Sequence, residues 1–315
     1  MKIAILGGAG FIGSHLAKRF SASGDDVRIG LAPDRRPQAR VDGESITLST
    51  LDDYRALVDA TDLVIHAAGR STPATSRANP MLEVDENLRS TLLLSQALVG
   101  RTETRLIYLS SAGTVYGDVP DGDADESRLP SPLSSYGAGK VAAEAFLHAL
   151  WASHGIRVGI LRATNVYGPG QKPKAGFALI PWAIAAQRDG TPFEVRGGGL
   201  SRRDFLYIDD FGDAVERLAR RPEGQGFEVL NIGSGITHSV NDVLDLVERL
   251  GGKRIARRLM PDMPGDVGRI AVSIHRAKRV LDWAPKTTLD HGIEATMRWM
   301  DAQAAGGSPV FEAPG

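Results

Sequence analysis

The stretch Ile3-Ala4-Ile5-Leu6-Gly7-Gly8-Ala9-Gly10-Phe11-Ile12-Gly13 sets the reading of the whole chain. Its apolar start reads as a buried strand, and residues 15–23 that follow read as an amphipathic helix. Between the two, Gly7, Gly10 and Gly13 permit a tight turn and a close approach of backbone to a pyrophosphate. A helix N-terminus beside such a turn stabilises the phosphate charge. A glycine triplet alone is a weak sign and can be a plain structural turn. At the first strand-to-helix crossover, with Phe11 and Ile12 inside the loop, it points to a dinucleotide site.

Outward from that loop, short apolar runs alternate with helical patterns. Residues 27–31, 63–66, 106–110 and 158–161 read as buried strands, and 52–60, 86–98 and 136–154 as helices. This alternation predicts an α/β fold with a Rossmann-like parallel sheet, helices on both faces and a smaller C-terminal substrate-binding region. The expected division is a dinucleotide-binding domain over 1–170 and a substrate-binding region over 171–301. Residues 302–315 are expected to be a flexible tail. In the second region 177–188 and 240–250 read as helices, and 193–195 and 229–232 as strands, with some segments returning to the main sheet.

The 315 residues carry 37 basic and 38 acidic side chains, which gives no reason to expect a nucleic-acid partner. The absence of cysteine excludes disulfides and thiolate chemistry and agrees with a cytoplasmic location. No apolar run is long enough to span a membrane, and the histidines form no close ligand motif, so neither a membrane nor a metal is expected. The second strand of a dinucleotide site normally ends in an acid that accepts the ribose hydroxyls. Here Leu31 stands there, and Asp34-Arg35-Arg36 follow. Arg35 or Arg36 can pair with a 2′-phosphate or be solvated loop charges, so NAD and NADP both stay open. In His66-Ala67-Ala68-Gly69 the small residues, Ala67 among them, let backbone approach the cofactor.

The chemistry is carried by Ser134-Ser135-Tyr136-Gly137-Ala138-Gly139-Lys140. A four-residue spacing puts the Tyr136 phenol and the Lys140 ammonium on one helix face. The ammonium is expected to favour the phenolate and make it a proton acceptor, and to reach the nicotinamide ribose. Upstream, Ser110-Ser111-Ala112-Gly113-Thr114-Val115-Tyr116-Gly117 ends a strand where parallel sheets bind ligands. Ser111 and Thr114 are the hydroxyls able to hold a substrate alcohol there, or merely to cap the turn.

These blocks, with Leu161 to Gly170, Arg202-Arg203-Asp204-Phe205, Asn231 to Gly235 and Pro264-Gly265-Asp266, resemble the extended short-chain dehydrogenase/reductases. Within them the likeness is to NAD-dependent nucleotide-sugar 4-epimerases, over roughly residues 1–301. The resemblance implies Tyr136 as acid–base, Lys140 as its electrostatic and ribose-binding partner, and Asn87 near the nicotinamide and sugar. It implies Asn165 and Arg203 on the diphosphate of a nucleotide-diphosphate sugar, and a homodimer paired through helices 86–98 and 136–154. The implied reaction takes hydride from sugar C4 to tightly bound NAD(P) and returns it to the opposite face. Four departures stand out. Ala112 replaces the usual catalytic Ser/Thr, leaving Ser111 or Thr114. Leu31 replaces the strand-end acid, and Ser71 a common lysine. Met263 replaces an arginine, with Arg269 or Arg258 as substitutes. Apart from these four, Gly113-Thr114 stand where related 4,6-dehydratases carry an Asp-Glu pair, which argues against dehydratase chemistry. A 4-ketoreductase is the main alternative, and a noncatalytic dinucleotide sensor the remaining one.

Overall fold

The computed structural model describes residues 1–34, 44–221, 226–262 and 267–306. The first half alternates β1 (Lys2–Leu6), α1 (Phe11–Ala22), β2 (Asp26–Leu31), β3 (Ser45–Thr47), α2 (Leu51–Leu57) and β4 (Leu63–His66). Next come α3 (Pro73–Ala78), a π-helical turn (Glu83–Leu88) continuing into α4 (Arg89–Leu98), then β5 (Arg105–Ser111), α5 (Ala112–Val115) and α6 (Ser135–His154). The second half runs β6 (Val158–Ala163), β7 (Asn165–Tyr167), α7 (Leu179–Asp189), β8 (Phe193–Arg196), β9 (Arg202–Tyr207) and α8 (Ile208–Arg220). It closes with β10 (Phe227–Ile232), β11 (Thr237–Ser239), α9 (Val240–Gly251), β12 (Arg257–Met260), α10 (His275–Leu281) and α11 (Leu289–Ala304).

Seven strands form one sheet in the order β10-β6-β5-β4-β1-β2-β3, every neighbouring pair parallel. Alternation along β1 sends Ile3 and Ile5 to one face, with Phe20 of α1 and Phe211 of α8. Ala4 and Leu6 go to the other, with Leu94 of α4 and Leu147 of α6. Burial on both faces is why these strands read as unbroken apolar runs. The chain steps outward from β1 in both directions, so the loops after β1 and β4 diverge. That is the switch point where parallel sheets bind ligands.

The second half is not a separate layer. Strand β10 pairs with β6 at the edge of the main sheet, and α8 covers one of its faces. A three-stranded sheet, β11-β9-β7, and a two-stranded one, β12-β8, flank it, with α7, α9 and α11 packed around Phe193, Val243 and Ile293. Residues 302–304, expected in the loose tail, are the last turn of α11. Thr288 caps that helix by accepting from the His291 N–H at 3.4 Å, and Ile293, Thr296 and Met300 bury one side of it. Among the described residues no helix is long and apolar enough to cross a membrane.

Candidate active site

The glycine loop is built by backbone packed on backbone. Gly7 sits at φ +82°, and a Cβ there would lie 2.7 Å from the Ala68 Cα. A Cβ on Gly13 would collide with the Gly7 carbonyl oxygen. Gly10 heads α1 without a side chain to cap it, so the first N–H groups of the helix lack a side-chain acceptor. A cradle of this kind fits a dinucleotide pyrophosphate. Phe11, Ile12 and Ala67 flank it, each half-buried. Leu31 is buried at the end of β2, as its apolar character requires. Arg35 and Arg36 lie outside the described residues. Asp34 is described, and Arg70 of the loop after β4 grips its carboxylate.

Tyr136 and Lys140 stand on α6, which Ser134 caps by accepting from the Gly137 N–H at 3.1 Å. Lys140 is only 4 % exposed. Its Nζ donates to the Leu109 carbonyl at 2.9 Å and lies 4.8 Å from the Tyr108 ring centre and 5.7 Å from that of Tyr136. Burial lowers the Lys140 ammonium to about 8, against the pull of Glu83 and Glu144 in the other direction. The Tyr136 phenol moves the opposite way to the sequence expectation. Burial, and then the Glu83 carboxylate, push it well above the usual range, and the ammonium does not reverse this. In the free protein Tyr136 is therefore a neutral phenol.

The hydroxyls at the end of β5 divide. Ala112 is fully buried, so its position faces the core. The Thr114 Oγ1 turns back toward the Ser111 carbonyl at 3.4 Å. Among the described residues no hydrogen bond engages the Ser111 hydroxyl, and Ser111 is partly exposed. A Cβ on Gly113 would stand 3.8 Å from Ser111 Oγ and 4.0 Å from Asn165 Nδ2, so these groups share one space. Asn165 is fixed by donating to the Asp204 carbonyl at 2.8 Å. Buried Asp204 in turn accepts from the Ser234 and Gly235 N–H groups at 2.8 Å each, which ties the Asn231–Gly235 loop to β9.

Two arginines named from sequence are drawn into the fold. Arg203 donates to the Val267 and Arg202 carbonyls at 2.6 and 2.9 Å. Arg269 donates to the Val119 and Gly122 carbonyls at 2.9 and 2.5 Å, bracing the 118–123 loop. Asn87 is buried, its amide donating to Ser71 Oγ at 2.8 Å and Glu83 Oε1 at 2.6 Å and its oxygen accepting from the Arg70 N–H at 2.9 Å.

Glu83 escaped the sequence reading because the run Glu83-Val84-Asp85-Glu86 looks like a solvated helix start. The π-helical turn rotates Glu83 inward to 4 % exposure, against α6. One sign was available. Gly139 interrupts a helix between Tyr136 and Lys140, and a Cβ there would lie 2.8 Å from Glu83 Oε1.

Residues 3–233 match the NAD dependent epimerase/dehydratase family. The chain belongs to that family. A putative UDP-glucose 4-epimerase of Methanocaldococcus jannaschii is 31 % identical over 304 residues, 95 % of this chain and 98 % of that protein. The crystal structure of a UDP-glucose 4-epimerase with UDP-glucose from Thermotoga maritima superposes with a TM-score of 0.90 at 26 % identity, covering 96 % of this chain and all of that one. A UDP-glucose 4-epimerase of Thermus thermophilus in complex with NAD gives 0.88 at 28 % identity, over 96 % of this chain and 99 % of that one. The family is NAD-dependent, and the glycine cradle accommodates that dinucleotide.

Proposed function

We propose that this protein is a UDP-sugar 4-epimerase. The observation that carries the reading is Lys140, buried at the sheet's ligand edge with its Nζ 5.7 Å from the Tyr136 ring and bonded to Leu109 near the end of β5, the strand that ends at Ser111. Family membership and full-length likeness to UDP-glucose 4-epimerases support it. Bound NAD supplies the hydride acceptor and donor. As the phenolate, a form that Lys140 and the positive nicotinamide ring of bound NAD would favour over the neutral phenol of the free protein, Tyr136 Oη takes the proton of the sugar C4 hydroxyl and returns it after the sugar has turned. Ser111 Oγ hydrogen-bonds the same C4 oxygen. Asn165 and Arg203 hold the diphosphate, leaving the sugar free to rotate.

A net 4-ketoreductase is the second reading, and one observation favours it: Tyr136 rests as a proton donor. Incubation with UDP-galactose, without added NADH, separates the two. Interconversion with UDP-glucose over many turnovers supports the epimerase. Turnover of a 4-keto sugar only when NADH is supplied supports the reductase. Tyr136→Phe is expected to abolish activity while NAD still binds, and wild-type turnover in that variant refutes the assignment.

A homodimer accompanies this reading. Met81, Val84 and Leu92 expose apolar side chains at 56, 47 and 36 %, and Phe146 on α6 does so at 47 %. Met81 and Val84 are three residues apart and Val84 and Leu92 eight, about two helical turns, and α4 packs with α6, so these apolar side chains suit the docking of a second copy. Phe146→Asp is expected to shift the sedimentation of the protein toward the monomer.

A further inference from the structure

Around the Tyr136–Lys140 pair, the charges do not cancel in the way the helix alone suggests. Among the described residues Lys140 forms no ion pair, and its hydrogen bond goes to a neutral carbonyl. Two buried carboxylates, Glu144 and Glu83, lie near enough to act on its charge. Glu144 is already neutralised, because Arg162 grips it with Nη2 at 2.6 Å and Nε at 3.1 Å. Among the described residues Glu83 has only neutral donors: Ser71 Oγ on one oxygen and Asn87 Nδ2 at 2.6 Å on the other. Its side chain packs against Gly139, on the turn of α6 between the phenol and the ammonium. One uncompensated negative charge is thus held at the base of the pair.

We propose that Glu83 is the fixed counter-charge of the Tyr136–Lys140 pair, a positioning residue that holds Lys140 as the ammonium and Tyr136 as the neutral phenol. The inference rests on the acid–base role given to that pair above. The π-helical turn supplies its geometry, since it brings both Glu83 and Asn87 to the buried side. Ser71 completes the anchor by donating to the carboxylate. The other titratable groups around the pair are Glu144 from α6, Tyr108 from β5 and His66 from β4. Arg70 lies in the adjoining loop, where Asp34 and Glu86 take its charge. Asp85 and Glu86 on the same turn are exposed and partly exposed. Buried His66 is neutral, and so is Tyr108. None of these provides a second negative charge directed at Lys140 without its own cation.

The test uses the full chain free of nucleotide, labelled with ¹³Cε-lysine, with the Lys140 signal assigned from Lys140→Arg. The wild-type ammonium is expected to titrate at about 8. In Glu83→Gln, which keeps the shape and loses the charge, the midpoint falls by about one pH unit. In the loaded enzyme the acid limb of kcat/KM moves down by a similar amount, because the phenol ionises more readily. Glu83→Met is read in the same way should Glu83→Gln fail to fold. Ser71→Ala removes a hydrogen bond but leaves the charge, and its midpoint stays with the wild type. An unchanged midpoint in a folded Glu83 variant overturns the proposal. So does a Ser71→Ala shift as large as that of Glu83→Gln, since the hydrogen bonds rather than the charge would then be responsible. The titration is read without substrate, so absence of epimerase activity would sink the functional reading and leave this result standing.

Discussion

Arg70 holds Asp34 in a two-pronged ion pair, its Nη1 and Nη2 donating to the two carboxylate oxygens at 2.8 and 2.7 Å. The pair joins the loop after β2 to the loop after β4, across the glycine loop of β1. A carboxylate, paired with Arg70, therefore stands beside the glycine loop, although Leu31 occupies the strand end where an acid is usual. Arg70 offsets its charge, so discrimination is expected through a hydrogen bond that the paired carboxylate still accepts from a ribose 2′-hydroxyl and that a 2′-phosphate cannot donate. Asp34→Asn is expected to narrow the preference for NAD over NADP by about tenfold, on the order of 1.4 kcal/mol. Calorimetric titration of the nucleotide-free protein with each dinucleotide checks it, and an unchanged ratio removes Asp34 from cofactor selection. The exposed pair itself should contribute under about 1 kcal/mol to folding.

The two hydroxyls left open by Ala112 should separate cleanly. Ser111 presents an oxygen with no hydrogen-bond partner among the described residues, whereas Thr114 Oγ1 faces the Ser111 carbonyl at 3.4 Å. Ser111→Ala is expected to lower kcat by roughly a hundredfold, the lower end of what a positioned proton-handling group contributes. Thr114→Ala should cost less than about threefold, given the usual small worth of a long local hydrogen bond. The initial rate of UDP-galactose conversion measures both. The reverse order would give the role to Thr114.

The main sheet was legible because its strands are buried on both faces and so are uniformly apolar. Ile3–Leu6 and Leu63–His66 have no other plausible place. The Tyr136–Lys140 face was legible for the same reason, since helical spacing alone fixes it. Helix α8 was not, because Asp209, Asp210 and Asp213 mask the stripe of Phe211, Val215 and Leu218 that covers the sheet. Glu83 was hidden by a local change of helical register, which period counting does not detect. Charge balance was hidden too, because the phenol's environment in the free protein depends on burial and on a carboxylate distant in sequence, neither of which helical spacing reveals.

Two buried histidines give the fold a pH dependence of definite sign. Burial, with Lys140 nearby, lowers His66 to about 3, and burial beside Arg19 and Lys18 lowers His15 to about 4. His15 Nε2 lies 3.3 Å from Asp209, yet the ring is neutral near pH 7, so this contact is not an ion pair there. Both folded values lie below the ordinary 6.5. The unfolded chain then takes up protons that the folded one refuses as pH falls below that value. Each histidine removes about 1.4 kcal/mol of stability per pH unit until its folded value is reached. Urea unfolding at neutral pH and at about pH 5 should show the loss. His66→Gln should flatten that slope by one histidine's share, and an unaltered slope contradicts the assignment.

Behind the active site, Arg162 of β6 links three elements through one buried guanidinium. It pairs with Glu144 of α6 at 2.6 Å and donates to the Tyr116 hydroxyl at 2.8 Å, which donates to Asn231 Oδ1 of β10 at 2.8 Å. Ser110 of β5 donates to the same Glu144 at 2.5 Å. Burial disfavours the Arg162 charge, but Glu144 and Tyr116 hold it above its ordinary value. Both ion-pair partners are desolvated, so the intact pair adds little net stability, while removing one partner strands the other. Glu144→Ala is therefore expected to destabilise the protein by about 3–5 kcal/mol in urea unfolding. Glu144→Ala with Arg162→Met, which removes both charges, should recover most of that loss. If the double variant is as unstable as the single one, the cost lies in lost packing rather than in a stranded charge.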